Sequence, residues 1–150
     1  MKIKSNKEYN PKMHSTEHIL NQTMVRMFGC ERSFSNHIEK KKSKCDYHFE
    51  RILTQDEVTI IENRVNEIIL QDLLVTEEFY SKKDVQTKFN LSKLPEDAGN
   101  QIRIIKIGEY DACPCSGLHV SHTKEIGYFK IISTSFEEGI LRIRFKLLEK

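Results

Sequence analysis

No apolar run in this sequence approaches the ~20 residues that a membrane-spanning helix needs. The lysine-rich start is followed by no apolar stretch, so no signal peptide is expected and the cytoplasm is the expected location. Net charge is also scarce: 24 Lys and Arg stand against 22 Asp and Glu, leaving +2. A chain so balanced does not coat nucleic acid by bulk charge, although local basic patches stay open to it. Internal repeats and low-complexity blocks are absent, which excludes a solenoid or an array. There are only four cysteines, Cys30, Cys45, Cys113 and Cys115. In a reducing compartment they favour metal or nucleophile roles over disulfides.

What remains is an ordinary globular composition, 38% hydrophobic and 31% charged over 150 residues. That length suits one domain with a real core, here taken as residues 1–150 with a polar lead over 1–12. Apolar positions Ile19, Leu20, Met24, Met27 and Phe28 recur at helical spacing from Met13, and Gly29 is the expected stop. Glu31 to Ser35 reads as a turn, and the run Lys40-Lys41-Lys42-Ser43-Lys44 as an exposed hairpin tip or loop. A weak strand is expected over Asp46 to Leu53. Thr54-Gln55-Asp56-Glu57 fits a capping box, with Leu53 and Val58 as its hydrophobic staple. Val58, Ile61, Val65, Ile68 and Ile69 then make one apolar stripe on a helix ending near Gln71 to Leu73.

Val75 to Tyr80 reads as a short strand, Ser81 to Phe89 as a short helix, and Leu94 to Asn100 as a loop. Ile102 to Ile107 is a strand, with the Cys/His segment expected directly at its end. Ile126 to Ser133 and Ile140 to Leu148 form an antiparallel pair joined around Phe136 to Gly139. In the last strand Leu141, Ile143, Phe145 and Leu147 alternate with Arg142, Arg144 and Lys146, giving one core face and one basic face. The sum is an α+β single domain, an antiparallel sheet with helices packed on one face.

Two short segments carry the chemistry. His14-Ser15-Thr16-Glu17-His18 puts two imidazoles at i and i+4, one turn apart on one helix face. Cys115-Ser116-Gly117-Leu118-His119 supplies a sulfur and a third imidazole. Brought together, the four donors suit a tetrahedral Zn²⁺ site with bonds of about 2.0–2.3 Å. His14, His18 and Cys115 are expected to be the firmest ligands and His119 the most conditional. Four protein ligands also fill the ion, which is the pattern of structural sites, whereas catalytic ones keep a position open. Glu17 lies between the histidines and is a candidate to orient a ligand or act as a base; its alternative role is a charge favoured by the helix dipole. Cys113 is read as a small buried residue, and His48 and His122 as surface or strand histidines. Lys40, Lys41, Lys42, Lys44, Arg142 and Arg144 are candidate contacts for nucleic-acid phosphates. His14 to His18 also fits the H-x-x-E-H metallopeptidase pattern, with Glu77 or Glu78 as the acidic ligand such enzymes need.

The two segments, in this order, resemble the editing domain of alanyl-tRNA synthetase and its free-standing relatives, which deacylate mischarged tRNA. The resemblance continues in Asp46-Tyr47-His48-Phe49 followed by Leu53-Thr54, in the helix Ile61 to Ile69, and in the strand Arg103 to Gly108. His119-Val120, Thr123 to Gly127 and Phe129-Lys130-Ile131 complete it, so it covers roughly residues 13 to 148. It implies zinc at His14, His18, Cys115 and His119, aminoacyl-tRNA as partner, and zinc-dependent hydrolysis of a mischarged ester, with Ser- or Gly-tRNA(Ala) foremost. It implies a substrate pocket near Ser35, Asn36, Gly117 and Leu118, with His37 beside Glu17 as a candidate catalytic group. The family's usual C-G-G-T-H reads here Cys-Ser-Gly-Leu-His, and the two departures, Ser116 and Leu118, put the choice of amino acid in question. The other modules of the synthetase have no counterpart in these residues, so tRNA selection is expected to come from elsewhere or to be loose. A module that binds tRNA around a structural zinc without catalysis is the alternative.

Overall fold

The first helix, α1 (Pro11–Phe28), runs through the middle of the molecule rather than along its surface. The computed structural model describes residues 10–81 and 101–149. Asn10 caps α1 by accepting the Met13 N–H at 2.9 Å, and Pro11 occupies the first turn, where its missing N–H costs nothing. Gly29 ends it at φ 68°, donating its N–H to Val25 O at 2.9 Å. Met13, Ile19, Leu20 and Met24 are buried in the core as expected. So are six polar residues of the same helix: Ser15, Thr16, Glu17, His18, Asn21 and Thr23. Buried polar groups need partners. Thr16 and Thr23 donate back to the carbonyls of Lys12 and Ile19, and Thr23 also meets the Tyr110 hydroxyl at 2.7 Å.

The second helix, α2 (Gln55–Leu70), begins at the expected capping box, with Glu57 N–H donating to Thr54 Oγ1 and Thr54 N–H to Glu57 Oε1. Ile61, Val65, Ile68 and Ile69 are its buried stripe. Asn66, also buried, clips the helix to a strand by exchanging both hydrogen bonds with the Phe129 backbone, at 2.9 and 2.8 Å.

The strands form two antiparallel sheets where the sequence suggested one. β1 (Ser35–His37), β2 (Ser43–His48), β6 (Tyr128–Glu137) and β7 (Ile140–Leu148) make the first, in the order β1-β2-β7-β6. β3 (Val75–Ser81), β4 (Gln101–Ile107) and β5 (Asp111–Pro114) make the second, in that order. The fold class is α+β as read, with both helices and the inner faces of the first sheet sharing one core that includes Tyr47, Phe129, Ile143 and Phe145.

Several boundaries differ from expectation for local reasons. The strand expected from Asp46 lies earlier, at Ser43–His48, because its pairing with β7 puts Ser43, Cys45 and Tyr47 on the core face. Lys40, Lys41 and Lys42 sit exposed at the β1–β2 tip, while Lys44 lies within β2 opposite Arg144. β5 was not anticipated. It hairpins back on β4, so the Cys/His segment leaves the end of β5 instead of β4. A 3₁₀ turn at Thr123–Ile126 delays β6, and the β6–β7 turn uses positive φ at both Glu138 and Gly139, as a two-residue hairpin of this twist requires. Of the helix expected from Ser81 and the loop expected from Leu94, only Ser81 is described, and it closes β3. No helix among the described residues is long and apolar enough to cross a membrane.

Candidate metal centre

The buried polar face of α1 meets the loop after β5. His14 and His18 project from successive turns of the helix, and the loop is fastened so that Cys115 and His119 face them. Arg103 of β4 donates Nη1 to both Cys115 O (3.1 Å) and Gly117 O (2.8 Å), while its backbone oxygen accepts the Cys115 N–H at 3.2 Å. Glu77 holds the other edge of that guanidinium at 2.6 Å. Gly117 is pressed on the His14 ring: a Cβ there would lie 2.1 Å from His14 Cε1 and 2.4 Å from Nδ1. Glycine at this position is therefore a requirement of close approach.

One ligand atom from each of His14, His18, Cys115 and His119 lies within 4.8 Å of every other. Cys115 Sγ is 3.5 Å from both His14 Nε2 and His119 Nε2. Bonds of about 2.3 Å to sulfur and about 2.0 Å to nitrogen, opened to a tetrahedral angle, give a sulfur–nitrogen edge of about 3.5 Å. The donor set and its spacing thus fit a zinc-like ion. The electrostatics of two of the donors, Cys115 and His119, agree. Burial pushes the Cys115 thiol up, but His119, His14 and His18 around it outweigh that and hold it far below the usual thiol range, as a ligand thiolate requires. Burial, with help from His18 and His14 and against the pull of Cys115, drives the His119 imidazole down, toward the neutral form that ligates.

The remaining contacts of the ligands involve residues to which the sequence reading gave no role. Asp111, at the start of β5, is fully buried. Its Oδ2 lies 3.4 Å from His18 Nδ1, within ion-pair range though long for a hydrogen bond, and it takes Arg32 Nη1 at 2.7 Å and Gln22 Nε2 at 2.8 Å on Oδ1. Burial opposes charge on Asp111, yet His18 and Arg32 keep it well below the usual carboxylate range. Ser15, between the two helix histidines, meets His119 Nδ1 at 2.9 Å and accepts the Val120 N–H at 3.2 Å. The i+1 and i+4 positions beside a ligand pair are the places to look for such groups, but Asp111 and Arg32 carry no spacing signal at all.

Glu17 is buried within the same helix turn. Its Oε1 stands 3.7 Å from His14 Nε2, and Oε2 accepts Asn21 Nδ2 at 2.7 Å. Asn21 in turn accepts the Ser33 N–H at 3.1 Å, and Ser33 meets Asn36, so the carboxylate is tied to the approach to β1. Ser35, Asn36 and His37 lie exposed on β1, with His37 paired to Glu39, and none is among the four clustered donors. Ser116 and Leu118 are exposed on the ligand loop, Leu118 at 48%. Cys113 is half-buried, outside the cluster, and burial raises its thiol pKa. His48 is exposed and stacked on Phe34, and His122 is exposed and paired with Asp72 and Glu125.

On the basic face of β7, Arg142 is taken by both oxygens of Asp46 at 2.8 and 2.9 Å and forms a structural ion pair, whereas Arg144 makes only a 3.5 Å contact to Ser133. Neither Glu77 nor Glu78 joins the donor cluster. Glu77 holds Arg103, and Glu78 pairs with Tyr80 and Lys106. The acidic ligand that a metallopeptidase of the H-x-x-E-H type needs is therefore not supplied by either, and its place is taken by Cys115 and His119.

Known proteins share sequence with this chain. The family described as the threonyl and alanyl tRNA synthetase second additional domain matches residues 102–144. The alanine–tRNA ligase of Fervidobacterium nodosum is 33% identical over 132 residues, covering 87% of this chain and 15% of the ligase. That of Coxiella burnetii is 33% identical over 133 residues with the same coverage. That of Methanococcus maripaludis is 30% identical over 138 residues, 88% of this chain and 15% of the ligase. The chain thus spans about 15% of the length of the curated relatives it matches.

Proposed function

We propose, for a chain that is an alanyl-tRNA-synthetase-related domain, that it hydrolyses the ester of a mischarged aminoacyl-tRNA at a zinc centre, with Ser- or Gly-tRNA(Ala) as the substrate class. The observation that carries this is the convergence of His14, His18, Cys115 and His119, from opposite ends of the chain, within 4.8 Å. A zinc held by these four would supply Lewis acidity for ester hydrolysis. The chain's own residues do the rest. Arg103 and Gly117 fix the loop against α1, and Asp111 and Ser15 orient two of the imidazoles. Glu17, steadied on one oxygen by Asn21, presents the other beside His14 and serves as the base that takes a proton from the attacking water. The exposed lysines at the β1–β2 tip and Arg144 on β7 are the candidate phosphate contacts.

A panel of Ser-tRNA(Ala), Gly-tRNA(Ala) and Ser-tRNA(Thr) tests the reading. Hydrolysis of the first two, lost in His18→Ala, supports it; intact esters across the panel in a metal-loaded protein refute it. Metal analysis is expected to give about one zinc per chain, largely lost in His18→Ala. The full four-donor set also favours a second reading, a tRNA-binding module built on a structural zinc. Tight tRNA binding with no hydrolysis would establish that one.

A further inference from the structure

The three imidazoles of the cluster are not held alike. His18 turns Nδ1 toward the buried Asp111 carboxylate, which Arg32 and Gln22 hold from the other side. His119 turns Nδ1 toward Ser15 Oγ at 2.9 Å. Each contact fixes the ring's rotation and leaves Nε2 for the cluster, as outer partners of metal-bound histidines do. The Nδ1 atoms of His14 and His18 are both buried without a hydrogen bond, but His18 Nδ1 has the Asp111 carboxylate at 3.4 Å, and no such ion pair to His14 Nδ1 is present among the described residues. The Gly117 backbone lies against that edge of the ring. His14 also stands in the first turn of α1, and its side chain is 19% exposed against 4% for His18.

Moving His18 out of the cluster would take one partner from the buried Asp111 carboxylate. Moving His119 would break its bond to Ser15. Turning His14 away gives up its 3.5 Å contact to Cys115 Sγ, which His119 shares, but no outer partner on Nδ1. We infer that His14 is the exchangeable ligand of this centre, and that His18, Cys115 and His119 form the permanent triad. The inference rests on the metal reading above and resolves its difficulty, since a four-donor set gains an open position when one donor yields. It reverses the order expected from sequence, in which His119 was the conditional ligand. The location suits the chemistry as well. The position that His14 gives up is the one beside Glu17 Oε1, 3.7 Å from His14 Nε2.

The test uses the metal-free protein titrated with Co²⁺, read by its visible bands, its thiolate-to-cobalt absorption and competition with a chelator. His14→Ala is expected to weaken cobalt binding by no more than the about tenfold loss typical of an outer-partner change, with the thiolate band retained. His18→Ala and His119→Ala should each lose more than about hundredfold, beyond the range of outer-partner changes. Ser15→Ala and Asp111→Asn should each lose about 10- to 100-fold.

The inference is overturned if His14→Ala loses as much as His18→Ala, or if Ser15→Ala binds cobalt like wild type. Asp111→Asn leaves Arg32 unpaired and can fail to fold, so thermal melts of the metal-free proteins accompany the titrations, and the histidine and Ser15 variants decide the matter without it. Wild type that binds cobalt with this ranking but leaves every ester intact sinks the hydrolase and not the exchangeable ligand. Wild type that binds no cobalt sinks both.

Discussion

Replacing Gly117 by alanine tests whether the ligand loop and α1 are in the contact described. The new methyl carbon would lie 2.1 Å from His14 Cε1. Non-bonded carbons rest about 3.5–4.0 Å apart, so the ring must retreat by about 1.5 Å or more. Metal–ligand distances hold to within about ±0.2 Å, so a displaced His14 no longer ligates. The φ of Gly117 lies outside the left-handed region, which means alanine adds no backbone strain. Because no hydrogen bond holds His14 Nδ1 and the ring gives up a long 3.5 Å contact to Cys115 Sγ, the metal-free protein should lose no more than the about 1–3 kcal/mol of ordinary overpacking. Gly117→Ala should therefore match His14→Ala in cobalt affinity, and the double variant should be no weaker than either single one, because both remove the same ligand. Cobalt competition and urea melts of the four proteins in this cycle supply the readout. Wild-type affinity in Gly117→Ala would refute the close approach, and additive losses in the double variant would show that Gly117 acts by another route.

Three further outcomes concern the frame around the site. The Arg142 hydrogen bonds hold the Asp46 pKa below its usual value. A lowered folded-state pKa contributes stability above the unfolded value of about 3.9 and loses it as pH falls through the folded value. Arg142→Met should therefore cost about 2 kcal/mol in urea melts at pH 7, and the gap to wild type should narrow as pH falls below the usual Asp value of about 3.9; a gap that does not narrow with acid would refute the pairing. Thr54→Ala removes one half of the capping box and should lower stability by about 1 kcal/mol, or about 2–4 °C in Tm. Asn66→Ala leaves the buried backbone N–H and C=O of Phe129 unpaired and should cost about 2–3 kcal/mol, more than the exposed cap, and the same melts rank the two.

What the sequence made legible was local. The i, i+4 pair on α1 and the capping box of α2 depend on helical period and on a three-residue reach, both of which can be read from neighbours. The division into two sheets could not be read this way, because which strands pair is settled by contacts far apart in sequence. β5 escaped because its four residues, Asp-Ala-Cys-Pro, hold one cysteine and a proline, with no alternation to mark them. The polar positions of α1 gave no apolar signal and are buried all the same, since what they meet is also polar: Ser15 with His119, Glu17 with Asn21, Thr23 with Tyr110. Asp111 and Arg32 are ordinary charged residues until the fold places them behind His18.

The same geometry explains which departures from the familiar loop pattern this chain can carry. Between Cys115 and His119 the three intervening positions are under unequal constraint. Position 117, where a Cβ would overlap His14, keeps glycine. Positions 116 and 118, where this chain has serine and leucine, are exposed. Ser116 and Leu118 therefore leave the assembly of the four donors intact and alter only what approaches them from outside. A leucine half open to solvent beside His119 presents an apolar edge where the resembling pattern has a hydroxyl. Under the proposed ester hydrolysis that change acts on the side chain of the amino acid removed: if Leu118→Thr shifts the ranking of Ser-, Gly- and other aminoacyl-tRNAs while cobalt affinity stays at its wild-type value, specificity and metal binding are separable in this loop. A parallel fall in cobalt affinity would show instead that position 118 helps to hold the ligands.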